Sequence, residues 1–164
     1  MSRFMGRKLS HIDASGRLRM VNVSAKRVTA REALARGRVF MQAETLALIR
    51  EGRAPKGNVL VAAHLAGVMA AKRTSEIIPL AHALPIEAVD LAFTLDTATS
   101  SVGIEARVKT RGRTGVEMEA LTAAAVAALT LYDMLKAVDR GMVMGEFALW
   151  EKRGGRSGVY RRRA

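Results

Sequence analysis

The chain has 164 residues, is 49% hydrophobic and contains no cysteine, so one ordinary core is expected, and disulfides and thiol-ligated metals are excluded. Lysine and arginine number 27 against 15 acids, a formal charge of +12, which favours an anionic partner, either nucleic acid or a phosphate-bearing small molecule. Aromatic residues are only 4%, too few for a platform of stacked rings on single-stranded RNA.

The N-terminus, MSRFMGRKLSHID, lacks a signal-type apolar run. The stretches VLVAAHLAGVMAA from Val59 and ALTAAAVAALTLY from Ala120 fall short of the ~18 residues a membrane helix needs. The expectation is a cytoplasmic protein with no membrane partner. Residues 1–164 read as a single domain with short basic tails at about 1–8 (Arg3, Arg7, Lys8) and 159–164 (Arg161, Arg162, Arg163), of the kind that is usually solvated.

In chain order, LRMVNV at 18–23 predicts a short strand. Thr29 and Glu32 have capping-box spacing and predict a short helix ended by Gly37, after which RVFM reads as a strand. A helix over 44–51 stops at Gly52, and RAPKG forms a loop that displays Lys56 between Pro55 and Gly57. A helix over 58–73 leads into TSEIIPLAHALP, which Pro79 and Pro85 keep irregular. Val89, Leu91, Phe93 and Leu95 alternate, as do Val102, Ile104, Ala106 and Val108, giving a hairpin around DTATSS. After the GRTG turn come a helix over about 117–138, stopped near Gly141, and a last strand, MVMGEFALW. From residue 38 onward the order is strand, helix, strand, strand, helix, strand. That order predicts an α+β fold, a ferredoxin-like antiparallel sheet packed against helices.

Glu117 and Glu119 flank Met118 where the GRTG turn meets the last helix. On a strand they would share a face; on a helix they diverge by about 200°. Compensation of the helix dipole explains them as well as ligand binding does. Asp133, Lys136 and Arg140 share one helical face, the spacing of an ordinary surface ion pair unless the face lines a cleft. His82 sits in a proline-bounded apolar loop, where a histidine bonded to backbone is the commoner case, and His11 and His64 have no better claim. Three histidines without ligand spacing predict no metal site. GGRSG at 154–158 is a weak signal for an anion-binding nest. Met69, Met134, Met142 and Met144 read as core filling; Met118 alone reads as near a ligand. Lys56, His82, Glu117, Glu119, Asp133, Lys136 and Lys152 together offer acids, bases and phosphate-binding cations suited to proton transfer on an anionic organic substrate. The residues alone do not say whether these groups meet.

AAKRTSEIIPLAHALP, RTGVEMEALTAAAVAALTLYDMLKAVDRGM, EKRGGRSG and LSHIDASGRLRMVNVSAKRVTAREA closely resemble the MoaC family, and the likeness covers nearly the whole chain. The resemblance implies a lyase of molybdenum cofactor biosynthesis that turns a 3′,8-cyclo-dihydroguanosine triphosphate into cyclic pyranopterin monophosphate and pyrophosphate. It implies no organic cofactor, with Mg2+ possible alongside the phosphates. It also implies a homohexamer built as a trimer of dimers, with active sites at subunit interfaces. By motif position, Asp133, Lys136 and Lys56 are implied as catalytic, and Leu80, Ala81, His82, Glu117, Met118, Glu119 and Lys152 as substrate-binding. The chain departs from the family's usual LCHPLP at Ala81 and Ala83, from YDMC at Leu135 and from MVDVS at Asn22; Ala81 therefore carries over as a backbone contact only. The competing reading is a basic RNA-binding ferredoxin-like module, for which the central strands offer only Phe93 as a stacking ring.

Overall fold

The computed structural model describes residue 12 and residues 15–163. Arg3, Arg7, Lys8 and His11 lie outside the described residues.

Five strands form one antiparallel sheet in the order β2-β3-β1-β4-β5. They are β1 (Thr29–Phe40), β2 (Ile86–Asp96), β3 (Ser101–Gly112), β4 (Val143–Arg153) and β5 (Tyr160–Arg161). The helices are α1 (Ala43–Arg50), α2 (Val59–Lys72), α3 (Thr74–Ile77) and α4 (Glu117–Leu135). Apart from α1, α3 and the short β5, this is the split β-α-β-β-α-β arrangement that the element order predicted.

The hairpin of β2 and β3 follows from alternation: Val102, Ile104, Ala106 and Val108 are buried against the helices while Glu105 and Arg107 are not. α2 starts at Asn58, whose side chain accepts the Val61 N–H at 3.1 Å. Alanines at 120, 123, 124, 127 and 128 are fully buried along α4, which lets the helix lie close on α2 and the sheet. With 19 residues and a mean hydropathy of 1.4, α4 is long and apolar enough to cross a membrane by composition. The sequence reading missed this by counting only the uninterrupted apolar run; burial against α2 and the sheet accounts for the composition.

Three readings are corrected. Residues 29–37 are not a capped helix: Thr29 to Phe40 is one 12-residue strand. It pairs with β3 on one side and β4 on the other, and this pairing overrides the helical preference of TAREALARG. LRMVNV is not a strand. Leu18 makes an isolated bridge to Ile12, and 19–23 is irregular. α4 ends at Leu135, with Lys136 as its C-cap, so the residues up to Val138 belong to a turn. In the basic C-terminal segment, Tyr160 pairs with Lys152, Arg161 lies 3.4 Å from Glu151, and the Arg162 N–H donates to the Trp150 carbonyl at 2.8 Å. These three residues are docked on β4.

Candidate functional site

The ends of three strands meet at one end of the sheet. Thr29 stands opposite Gly112 and Ala33 opposite Lys152, so the start of β1 lies beside the ends of β3 and β4. The hairpin register sets Ile86 against Thr110, and the Thr110 hydroxyl donates to the Pro85 carbonyl at 2.6 Å. The chain on either side of the hairpin is thereby brought together, with Leu80–Leu84 beside Thr114–Glu119.

The result is a cleft of 410 Å³ lined by Leu80, Ala81, His82, Leu84, Thr114, Gly115, Glu117, Met118 and Glu119, with Val21, Val23 and Lys26 completing its lining. Six of the seven residues implied as substrate-binding thus share one cavity. Lys152 adjoins it: its ammonium lies 3.0 Å from Glu117 Oε1 and donates to the Ser157 hydroxyl at 3.0 Å. A Cβ on Gly115 would overlap the Glu117 carboxylate, so glycine there lets that carboxylate fold back toward Lys152.

Both acids are helical and so diverge around α4. Glu117 turns to Lys152, while Glu119 is buried at 4% exposure. Burial raises the Glu119 carboxyl above its ordinary value; its own backbone N–H opposes the rise, and the Glu117 charge adds to it. Glu119 therefore keeps a proton to higher pH than a solvated carboxyl would. His82 Nε2 donates to the Val21 carbonyl at 2.8 Å, which makes Nδ1 the acceptor atom of the neutral ring.

The Gly-rich loop after β4 lies against the same end. Gly154 has φ +92°, and a Cβ there would overlap the Ala30 carbonyl. Arg31 stands over Gly155 and donates to the Gly112 and Arg113 carbonyls, each at 3.2 Å. The loop is thereby tied to the GRTG turn beside the cleft.

Asp133, Lys136 and Lys56 form a separate group. The Lys136 ammonium is 2.7 Å from Asp133 Oδ1, and the Lys56 ammonium is 3.1 Å from Oδ2. Lys56 also donates to the Asp133 backbone carbonyl at 2.9 Å, near the C-terminus of α4, where a cation complements the helix dipole. Bonds from Lys136, then from Lys56, hold the Asp133 carboxyl below its ordinary value, and Asp133 holds the Lys136 ammonium above its own. All three side chains are exposed, at 44%, 58% and 51% for Lys56, Asp133 and Lys136.

The two groups do not meet within one chain. Glu117 opens α4 and Asp133 lies sixteen positions further along it, a separation of about 24 Å at 1.5 Å per residue. Sequence reasoning also missed the wall made by Val21, Val23 and Lys26, because it assigned 18–23 to a strand. The signal available was His82, an apolar-loop histidine that needed a backbone partner. Asn22 points away from this chemistry, accepting from the Ser24 N–H at 2.9 Å and its hydroxyl at 2.7 Å. Phe93, the ring on which the RNA reading depended, is partly buried against the core and lines an open apolar pocket with Leu60, Val61, His64 and Leu65.

The MoaC family pattern matches residues 20–155. The chain is 58% identical over 155 residues to the cyclic pyranopterin monophosphate synthase of Chloroflexus aurantiacus, covering 94% of this chain and 95% of that one. It is 59% identical over 152 residues to the synthase of Heliobacterium modesticaldum, covering 93% and 96%. To that of Cereibacter sphaeroides it is 60% identical over 152 residues, again covering 93% and 96%. On a match this long and this close, the chain belongs to the MoaC family.

Proposed function

We propose that this chain is a cyclic pyranopterin monophosphate synthase. It converts (8S)-3′,8-cyclo-7,8-dihydroguanosine 5′-triphosphate into cyclic pyranopterin monophosphate and pyrophosphate, a lyase step of molybdenum cofactor biosynthesis in the cytoplasm. The observation that carries the reading is the single cleft shared by Leu80, Ala81, His82, Glu117, Met118 and Glu119, in a chain 58% identical to a protein of that name.

In this reading the carboxylates accept hydrogen bonds from the N–H edge of the guanine-derived ring. Glu119, able to hold a proton, also donates. Lys152 and the GGRSG loop receive the phosphates. Asp133, Lys136 and Lys56 move the protons of ring opening and reclosure. A substrate hydroxyl then attacks the α-phosphorus, its proton passes to a base of this group, and the bond to pyrophosphate breaks while the lysines stabilise the departing charge.

Because the two groups lie about 24 Å apart along one helix, the complete site takes its cleft from one chain and its Asp133 group from another. The assembly we propose is a hexamer, a trimer of dimers, with sites at the interfaces. No organic cofactor enters the reaction. Mg2+, where it accompanies the triphosphate, would be held by phosphate oxygens. The test is incubation of the purified protein with the 3′,8-cyclo nucleotide. Pyrophosphate release with a product oxidisable to a fluorescent pterin is expected, and neither appearing would overturn the reading.

A further inference from the structure

Asp139 follows α4 in the turn before β4, and it is 2% exposed. It makes no ion pair with lysine or arginine among the interactions of the described residues, and its carboxylate is spent on backbone and hydroxyl donors. Oδ2 accepts the Gln42 N–H at 2.9 Å and the Thr45 hydroxyl at 3.2 Å. Oδ1 accepts the Gly141 N–H at 3.0 Å. The Asp139 N–H donates to the Leu135 carbonyl at 3.0 Å.

Gln42 is the N-cap of α1 and provides no side-chain cap of its own. Asp139 therefore supplies from a distant part of the chain the acceptor and the negative charge that the start of α1 needs. The two elements joined in this way are the ones that carry the Asp133 group. α1 leads through Gly52 into the loop that displays Lys56, and the last turn and C-cap of α4 carry Asp133 and Lys136. The Lys56 bonds to Asp133 close the same loop at its other end.

We infer that Asp139 is a positioning residue: its carboxylate straps α1 to the turn after α4, so that Lys56 and the Asp133–Lys136 edge keep a fixed separation. The effect on turnover rests on the synthase reading above; the geometric part does not. Displacement of a reacting group by about 1 Å costs on the order of a hundredfold in rate, which sets the size of the effect expected.

The test uses the full-length oligomer with Asp139→Ala and Asp139→Asn. Asparagine retains one acceptor oxygen and so one side of the strap. Turnover of the 3′,8-cyclo nucleotide per folded molecule should fall by about a hundredfold in the alanine variant and about tenfold in the asparagine variant. KM should stay within about twofold, since the cleft lies at the other end of α4. Carbon-13 NMR of labelled aspartate provides a readout free of turnover: the Asp133 carboxyl, held low in the parent, should titrate closer to its ordinary value in the variants. A residue that only stabilised the fold would change the melting temperature and leave kcat per folded molecule and the Asp133 titration alone; that result overturns the inference. If the alanine variant does not fold, the asparagine variant decides on the same two readouts. If the parent releases no pyrophosphate and the Asp133 titration still moves, the synthase reading falls and the strap stands.

Discussion

The separation of the cleft from the Asp133 group makes subunit mixing a direct test of the shared site. Glu119→Gln disables the cleft and Asp133→Asn disables the other group, and each change is close to isosteric. Either alone should lower turnover by roughly a hundredfold to ten-thousandfold, the usual range for losing a positioned acid or base. Asp133 lies sixteen positions after Glu117 on α4, about 24 Å along the helix, so no side chain of the cleft reaches Lys56 or Lys136 of its own chain. In oligomers assembled from equal amounts of the two variants, a site is intact when its cleft comes from the Asp133→Asn chain and its lysines from the Glu119→Gln chain. Random assembly gives that combination at about one site in four, so the mixture should recover about a quarter of parental turnover. A control mixture of parent with the double variant should also give about a quarter; sites contained within one chain would give about half. The assay is pyrophosphate release by oligomers carrying a different affinity tag on each variant, purified through both tags in succession. Doubly tagged oligomers no more active than the single variants would refute the argument that two chains build each site.

Three further outcomes follow from particular contacts. Lys152→Ala removes the partner 3.0 Å from Glu117 Oε1 together with the cation proposed to receive a phosphate; kcat/KM should fall by roughly ten- to a hundredfold, the worth of a hydrogen bond to a charged group, as read by steady-state kinetics. Glu119→Gln should melt at higher temperature than the parent near pH 8. A carboxyl raised by burial stabilises the fold fully only below its unfolded value and loses that contribution as pH rises through the folded value, so the gap between the two proteins should close on acidification toward pH 4. Cysteine restored at the two positions where the family pattern carries it should behave differently: Ala81→Cys places a thiol in the cleft, whereas Leu135→Cys places one at 0% exposure in the core. Iodoacetamide should label the first within minutes, and label the second only on unfolding.

The fold was legible wherever burial follows a local period. Alternating Val102, Ile104, Ala106 and Val108 pack one face of β3, and the Asn58 cap marks the start of α2. Of β1 only the end, Arg38 to Phe40, was legible; 29–37 was not, because alanine, leucine, glutamate and arginine favour a helix in isolation. What makes 29–40 a strand is its central place, with β3 and β4 bonded on either side, and those partners lie about sixty to a hundred and twenty residues away in the chain. The segment 18–23 erred in the opposite direction: Val21 and Val23 alternate as strand residues do, yet they face a cleft, and the Val21 carbonyl accepts from His82.

The site shows why motif and geometry answer different questions. Leu80-Ala81-His82 and Glu117-Met118-Glu119 could be picked out as two short runs by resemblance, but nothing in either run says that it meets the other. Their meeting depends on the β2–β3 register: a slip of one residue at Ile86 and Thr110 would turn the faces of the hairpin over and carry the proline-bounded loop away from the GRTG turn. The strand register therefore sets the cleft, as surely as the acids do. The Asp133 group obeys a different constraint. Its lysines gather where α4 ends, because exposed carbonyls and one carboxylate attract them there, and the length of the helix fixes how far that point lies from the cleft. A 19-residue helix that is nearly all alanine and leucine on its buried face thus acts as a spacer: it holds the cation-rich group away from its own cleft and presents it at the surface, where the proposed assembly would bring it to the cleft of another copy.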